Sequence, residues 1–141
     1  MKKALVVFGM TILTFGLLTG CGCQKKEDNK NKDTKNEEIK TNTNEDVIKD
    51  QTVDVFKFEK ISLIYENGNS KLQTTVTNTS SEKQYLAEFL IHVKDEQGNE
   101  IVTMTGFVGD SIDANASKII DSTYGDDLTK ATSIEYEVVK S

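Results

Sequence analysis

Residues 53–78 decide the fold, and they read VDVFKFEKISLIYENGNSKLQTTVTN. Apolar and β-branched residues recur at about every second position on both sides of the dipeptide Asn67-Gly68. Such alternation is typical of half-buried strands, and Asn-Gly between two alternating runs is the strongest short-range signal of a hairpin turn. We therefore predict a first strand over about 53–65, broken near Glu59, and a second strand over about 70–78.

The same alternation continues to the end of the chain, with turn signals at the spacing that is typical of small sandwiches. The stretch over about 85–94 is apolar on both faces, which predicts a central strand. Further strands are predicted over about 100–108, 117–124 and 132–139, with loops over 79–82 and 109–116, a turn over 95–99 and one helical turn over 126–131. The predicted fold class is all-β, a small antiparallel immunoglobulin-like sandwich of about seven strands over residues 53–141.

The charge of the chain excludes one class of partner. The 141 residues carry a net charge of −6, and all 17 basic residues are lysine. Without arginine the chain lacks the planar guanidinium that recognises phosphate in a bidentate way, and an acidic chain lacks the positive surface that nucleic acids require. The sequence therefore predicts no nucleic-acid partner.

Residues 1–20 have the layout of a cleavable export signal. Lys2 and Lys3 form a positive head, and residues 4–18 carry no charge. As a helix this apolar core would span roughly 22 Å at about 1.5 Å per residue, which is short of the ~30 Å hydrocarbon thickness of a bilayer. We predict a signal peptide over residues 1–20, with a permanent transmembrane helix as the alternative.

The end of this leader, Leu18-Thr19-Gly20-Cys21, resembles the lipobox of bacterial lipoproteins. The resemblance implies that the Cys21 thiol is joined to a diacylglyceryl group and that the chain is cut between Gly20 and Cys21. Two acyl chains suffice for stable anchoring, since each buried CH₂ contributes about 0.8 kcal/mol. The expected location is the outer face of the cell membrane, in a bacterium whose Lys- and Asn-rich composition is typical of a low-GC, Gram-positive genome. An ordinary secretory leader with a coincidental cysteine is the alternative.

Residues 21–52 are predicted to be the lipidated cysteine and a disordered linker. From residue 24 onwards Lys, Asn and acidic residues dominate, and such a segment buries too little apolar surface to offset the entropy of ordering it. The alternative is a short helix near Glu45–Lys49 with Asn44 as its cap. Cys23 lacks the additional ligands of a metal site, and its role is left open.

The stretch from Phe58 to Val139 resembles the FxLYD-like domains of bacterial surface lipoproteins and their immunoglobulin-like relatives. Three segments carry the resemblance: Val76-Thr77-Asn78 before a polar loop, Val93-Lys94-Asp95 with Gly98 and Ile101 in a hairpin, and Asp126-Asp127-Leu128 followed by Ser133-Ile134-Glu135-Tyr136. The namesake Leu-Tyr-Asp reads Val93-Lys94-Asp95 here. The resemblance implies an FxLYD-like domain over residues 53–141 and carries no general enzymatic role with it.

Histidine occurs once, at His92, within the predicted central strand. It could act as a general acid or base, yet a lone histidine in a sheet is more often a packing or surface residue. None of the common nucleophile, phosphate-binding or zinc-binding motifs is present in the sequence. We predict no enzyme, no catalytic residue and no cofactor.

Aspartates in the last third of the chain offer another kind of site. Sandwich loops can gather carboxylates around Ca²⁺, although Asp110-Ser111-Ile112-Asp113 lacks the spacing of an EF-hand loop. The candidate Ca²⁺ ligands are Asp110, Asp113, Asp126 and Asp127. The alternative is that these are solvated acids that keep the domain soluble, and it predicts no metal.

These features favour a membrane-anchored, extracytoplasmic lipoprotein whose sandwich is a non-catalytic binding or assembly module. Its expected partners are the membrane, through diacylglyceryl-Cys21, and an envelope protein or cell-wall component. A Ca²⁺- or small-ligand-responsive domain that uses the acidic loops is the second hypothesis. An envelope enzyme or inhibitor is the third.

Overall fold

Antiparallel strands make up most of the residues that the computed structural model describes, which are 38–140. In chain order the elements are β1 (Lys40–Thr41), α1 (Glu45–Ile48), β2 (Gln51–Val53), β3 (Phe56–Glu66), β4 (Asn69–Asn78), β5 (Gln84–Lys94), β6 (Glu100–Ile112), β7 (Ser117–Tyr124) and β8 (Ser133–Val138). No helix in this part of the chain is long and apolar enough to cross a membrane. The all-β prediction is confirmed, and the strands predicted over 85–94 and 117–124 are found as β5 and β7.

Asn67 and Gly68 form the predicted two-residue turn between β3 and β4. Both residues have positive φ, 52° and 79°, which is the backbone of a type I′ hairpin turn. Glu66 pairs with Asn69 directly across the turn. The turn fixes the register of the two strands, so that the apolar sets of both face the core.

The predicted break near Glu59 is a β-bulge in β3. The register against β4 shifts between Glu59 and Ser62, and Lys60 has a φ of 53°. The extra residue lets Phe58 and Ile61 both point into the core, although uninterrupted alternation would place residues three apart on opposite faces.

The strands form two sheets that pack face to face. Sheet I has the order β1-β3-β4-β7, with β2 also paired to β3, and sheet II has the order β6-β5-β8. In an immunoglobulin fold the same neighbours are strands A-B-E and C′-C-F. The structure is therefore a small immunoglobulin-like sandwich, and β5 is the central strand of sheet II, as its two apolar faces predicted.

Three aromatic rings from the two sheets form the centre of the core. Phe58 of sheet I stacks on Tyr136 of sheet II with ring centroids 4.2 Å apart, and it meets Phe89 edge-on at 4.9 Å. Aromatic pairs at such spacings add to the stabilisation from burial. The largest fully buried aliphatic side chains around them are Leu63, Leu72, Leu86, Ile91, Ile112, Leu128, Ile134, Val47, Val76 and Val93.

The loop predicted over 109–116 is shorter than expected, because β6 continues to Ile112. The register between β5 and β6 shifts near this point, and Gly109 has a φ of 63°. Glycine adopts this backbone without a steric penalty. The irregularity is therefore a bulge within the strand and not its end.

The helical turn predicted over 126–131 is wrong. The N–H of Leu128 donates to Oγ of Ser70 at 2.8 Å, and the Ser70 hydroxyl donates to the carbonyl of Asp126 at 2.6 Å. The side chain of Leu128 is buried in the core. These contacts with β4 hold the segment in a non-helical course that ends in a turn, where the N–H of Ala131 donates to the carbonyl of Leu128.

The boundary predicted at residue 53 is also wrong, because residues 38–52 are folded onto the domain. We call residues 38–53, which include β1, α1 and β2, the N-terminal strap. The alternative short helix is the one found, and Asn44 caps it by accepting a hydrogen bond from the N–H of Asp46 at 2.9 Å. One buried apolar side chain, Val47, the buried Asn42 and hydrogen bonds to distant segments order the strap, which composition alone does not show. The signal peptide and the rest of the predicted linker lie outside the described residues.

Candidate functional site

The outer face of sheet II carries a connected set of charged and aromatic side chains. Core-facing side chains such as Phe89 and Ile91 alternate with outward ones along each strand, and the strand register aligns the outward ones in rows. In the order β6, β5 and β8, the rows are Phe107 and Glu88; Thr105, Leu90 and Glu137; and Thr103, His92 and Glu135.

His92 lies at the centre of this face and bridges two carboxylates. Its Nδ1 is 2.8 Å from Oε2 of Glu100, at the start of β6, and its Nε2 is 3.2 Å from Oε2 of Glu137 on β8. The Thr103 hydroxyl donates to the other oxygen of Glu100 at 2.6 Å and lies 3.1 Å from Nδ1. One imidazole therefore joins all three strands of sheet II.

The two carboxylates favour the protonated form of the imidazole. The hydrogen bond to Glu100 raises the pKa of His92, burial opposes this shift, and the hydrogen bond to Glu137 raises the pKa further. In turn, hydrogen bonds from Thr103 and His92 lower the pKa of Glu100. Each group thus extends the pH range over which the other is charged.

This geometry does not favour the general acid–base role considered for His92. A general base needs a ring nitrogen within reach of the proton that it removes, and both nitrogens here face carboxylates. The nearby hydroxyl of Thr103 is itself bonded to Glu100. Around His92, the residues that the structure describes form no set of nucleophile, base and orienting group.

Carboxylates outnumber cations on this face. Lys94, which follows the last of these rows on β5, donates from Nζ to Oε2 of Glu135 at 2.6 Å. Glu88 forms no ion pair within residues 38–140. Together with Glu100 and Glu137 these are four carboxylates, against Lys94 and His92. Lys49 of the strap also acts on Glu135 but is itself paired with Asp46, so the face keeps an excess of acid.

Two exposed aromatic side chains stand at one end of the same face. Phe107 is 71% exposed and Tyr85 is 58% exposed. The Phe107 ring leans over Gly109, where a Cβ atom would be 2.8 Å from two ring atoms. This direction along β6 leads to Ser111, which pairs with Tyr85. Both exposed rings therefore lie toward the same end of sheet II and give an acidic face an apolar end.

The outer face of sheet I differs, because its charges are balanced. Lys57 Nζ is 2.6 Å from Oε2 of Glu59, and Lys71 Nζ is 3.1 Å from Oδ2 of Asp121. The large apolar side chain exposed on this face is Ile119, at 67% exposure. Sheet I thus offers a polar surface without the charge imbalance of sheet II.

The four aspartates considered as Ca²⁺ ligands are divided between opposite ends of the sandwich. Asp110 and Asp113 lie near the start of β7, and Asp126 and Asp127 follow its end. Because β7 spans roughly 23 Å at about 3.3 Å per residue, the two pairs cannot share one ion.

Lysines engage three of these four aspartates. Their Nζ atoms lie 2.6 Å (Lys118 to Asp110), 2.9 Å (Lys83 to Asp113) and 2.8 Å (Lys40 to Asp127) from the carboxylate oxygens. Hydrogen bonds from Lys40 and then Thr129 lower the pKa of Asp127 to about 2. Between residues 38 and 140 no group of three or more His, Cys, Asp or Glu side chains is placed to hold a metal ion.

A cleft of about 340 Å³ opens beside Tyr85, between the start of β3 and the end of β8. Val55 and Val138 line it, and the ion pair of Lys140 with Asp54, at 3.5 Å, lies at its edge. Its volume is at the low end of the range for small-molecule sites. The cleft extends the apolar surface that begins with Tyr85.

Sequence reasoning singled out His92 but missed the side chains around it. Glu100 is 8 residues away and Glu137 is 45 residues away along the chain, so only the strand register brings them to the ring. The available signal was the alternation of β8, where Glu135 and Glu137 take the positions opposite the core-facing Ile134. That alternation predicts an acidic outer face.

The predicted processing and lipidation residues, Leu18, Thr19, Gly20 and Cys21, lie outside the described part of the chain. Comparison with protein-family models, with curated proteins and with solved structures found no match to this chain.

Proposed function

We propose that the protein is an extracytoplasmic lipoprotein, anchored to the outer face of the cell membrane through diacylglyceryl-Cys21, and that its sandwich is a non-catalytic binding or assembly module. The observation that carries the anchor is Leu18-Thr19-Gly20-Cys21 behind a positive head and an uncharged apolar core. The resemblance to FxLYD-like domains of surface lipoproteins supports the same location.

The contacts of His92 and the exposure of two aromatic side chains support the binding role. His92 is held between two carboxylates, while Phe107 and Tyr85 remain exposed on a regular sheet. Aromatic side chains on a rigid element are well suited to contact a partner, because little conformational entropy is lost when they bind.

The strap brings the N-terminal end of the described chain to one end of the sandwich. Glu38, the first described residue, lines a cleft together with Tyr65 and with Asn67 of the hairpin turn. β4 runs away from the turn and β5 starts after its far end, so Tyr85 lies at the opposite end of the sandwich from the turn. The length of β5 is roughly 33 Å at about 3.3 Å per residue. The predicted tether would therefore join the sandwich at the hairpin-turn end, and Tyr85 lies at the opposite end.

Metabolic labelling with an alkyne-bearing fatty acid tests the anchor in a bacterial host. The full chain should take up the label and sediment with membranes, and Cys21→Ser should abolish both. Cys23→Ser is the matched control, because it removes the neighbouring thiol and should leave the label in place. An unlabelled wild type, or a label that Cys21→Ser retains, would contradict the proposal.

Photocrosslinking on intact cells tests the binding role. A photoreactive residue is introduced in place of Phe107, Ile119 or Ile48, which are exposed on three different parts of the surface. At least one position should give a discrete adduct of higher mass. The absence of any adduct at all three positions would count against a binding module.

A further inference from the structure

We propose that the outer face of sheet II is the docking surface for an extended, lysine- or arginine-rich segment of a protein partner, with Phe107 and Tyr85 as its aromatic anchors. The inference rests on the proposed binding role and names the chemistry of the partner. We call this surface, formed by Tyr85, Glu88, Leu90, His92, Phe107, Glu135 and Glu137, the acidic-aromatic face.

The acidic-aromatic face carries unbalanced negative charge. Residues 38–140 contain ten lysines and nineteen aspartates and glutamates, but the excess of acid is unevenly placed. Lys57 and Lys71 balance the outer face of sheet I, whereas the acidic-aromatic face retains Glu88 without an ion pair in the described residues. Complementary potentials steer a cationic partner to such a face and disfavour an anionic one.

The aromatic anchors have a chemistry that suits a cationic side chain. Phe107 and Glu88 lie directly opposite each other on neighbouring strands, so an aromatic ring and a carboxylate are presented side by side. An ammonium or guanidinium group is attracted both to the face of an aromatic ring and to a carboxylate. Phe107 would thus contribute to binding the same cation that Glu88 neutralises, and Tyr85 adds a second exposed ring further along β5.

The spacing of the rows matches that of side chains in an extended segment. Successive rows of the face are two residues apart along β5, which is about 6.7 Å. In an extended segment, side chains that point to the same side repeat at the same distance. Basic residues at alternate positions of a segment lying along β5 would therefore meet Glu88, Glu137 and Glu135 in succession.

The same observations disfavour other occupants. A second copy of the chain would bring an identical set of carboxylates against this face, and like charges at such distances repel. Anionic wall polymers and anionic headgroups would be repelled for the same reason. The charge thus favours a basic protein segment over each of them.

Binding of defined peptides to the lipidated full chain in non-ionic detergent tests the proposal. The probe is a fluorescent peptide of about ten residues in which Lys alternates with Thr, and its counterpart replaces Lys by Glu. Fluorescence anisotropy should show binding of the Lys peptide only, and the affinity should fall as salt is added. Phe107→Ser with Tyr85→Ser, and separately Glu88→Gln, should each weaken binding by about tenfold.

Ile119→Ser is the matched control, because it removes an equally exposed apolar side chain from the balanced face of sheet I. Its affinity for the Lys peptide should equal that of the wild type. Equal binding of both peptides, no binding of the Lys peptide, or an equal loss in the Ile119 variant would overturn the proposal. Fatty-acid labelling that depends on Cys21 is measured separately, so a failed peptide experiment with intact labelling refutes the docking face and leaves the anchor standing.

Discussion

Gly106 makes room in the core for the ring of Phe89. A Cβ at position 106 would stand 2.6 Å from Cε1 of Phe89, and closer still to Cζ and Cε2, although Cβ atoms essentially never approach within 3.0 Å of another heavy atom. The ring cannot move aside easily, because Phe58 and Tyr136 pack against it. Because Gly106 has no side chain, the space beside it on β6 is available to the ring of Phe89 on the neighbouring strand.

Gly106→Ala should destabilise the domain by about 1–3 kcal/mol, the usual cost of overpacking a well-filled core. Gly125→Ala is the control, since a Cβ there meets nothing within 4 Å. Denaturant unfolding of both variants checks this. If the two variants were equally stable, the close approach of Phe89 to Gly106 would be refuted.

The hydroxyls of Tyr136 and Thr74 are buried near each other, and neither forms a hydrogen bond of standard geometry among the described residues. Burial raises the pKa of Tyr136 to about 12. Because an unsatisfied buried hydroxyl costs free energy, the double variant Tyr136→Phe, Thr74→Val should melt at the same temperature as the wild type or higher. A clear drop in melting temperature would mean that the two hydroxyls contribute a stabilising interaction.

His92 gives the domain a pH dependence whose sign follows from its neighbours. Its pKa is raised from 6.5 by Glu100 and Glu137, so its contribution to stability is full below about pH 6.5 and is lost as the pH rises through the raised value. The pKa of Glu100 is lowered from 4.5, so its contribution is lost as the pH falls below about 4.5. Together they stabilise the three strands most between these limits.

His92→Gln should therefore lower the melting temperature more at about pH 5.5 than at about pH 8.5. Thermal melts of wild type and variant across this range measure the difference directly. A difference that stays constant with pH would show that protonation of His92 does not stabilise the fold.

Among the elements, the N-terminal strap contacts both sheets. The side-chain amide of Asn42 donates to the carbonyl of Ala131 at 2.8 Å, and that of Gln51 donates to the carbonyl of Ile134 at 2.6 Å. β1 and β2 both pair with β3 of sheet I. The strap thus links the edge of sheet I to the loop and strand that complete sheet II.

Val47→Ala tests whether the strap belongs to the folded unit. Val47 is fully buried, whereas the neighbouring Ile48 on the same short helix is 39% exposed. Val47→Ala should cost about 1–3 kcal/mol, and Ile48→Ala should cost little. Equal and small effects on the free energy of unfolding would mean that the strap is not part of the cooperative fold.

The elements that the sequence predicted well are those whose signal is local. Alternation located β5 and β7, and Asn67-Gly68 located the hairpin, because both patterns act within a few residues. The strap and the segment before β8 were mispredicted because contacts from far along the chain, such as Asn42 with Ala131 and Ser70 with Leu128, decide their conformation. A polar composition does not indicate such distant contacts.

At the scale of the whole molecule, the candidate site could be predicted only in part. The acidic balance of the chain was visible, and so was the solitary His92, but the acidic-aromatic face exists only once β6, β5 and β8 are in register. Met104 and Phe107 are three positions apart, so alternation places them on opposite faces, but the sequence alone does not show which of the two faces the core. The bulge near Gly109 further changes the faces of the residues that follow it, and bulges are set by the fold around them.

The extent of the folded unit leads to a prediction for limited proteolysis by trypsin, which can cut this chain only after lysine. The composition of residues 24–37 predicts an unpacked tether, whereas Lys40 is held in β1 by Asp127 and Lys49 follows α1. Since a protease needs a locally unfolded chain, we expect a stable fragment that begins at Asn36, identified by its mass. A fragment that begins at Thr41 or Asp50 would show that the strap opens independently of the sandwich, and it would move the boundary of the folded unit back towards residue 53.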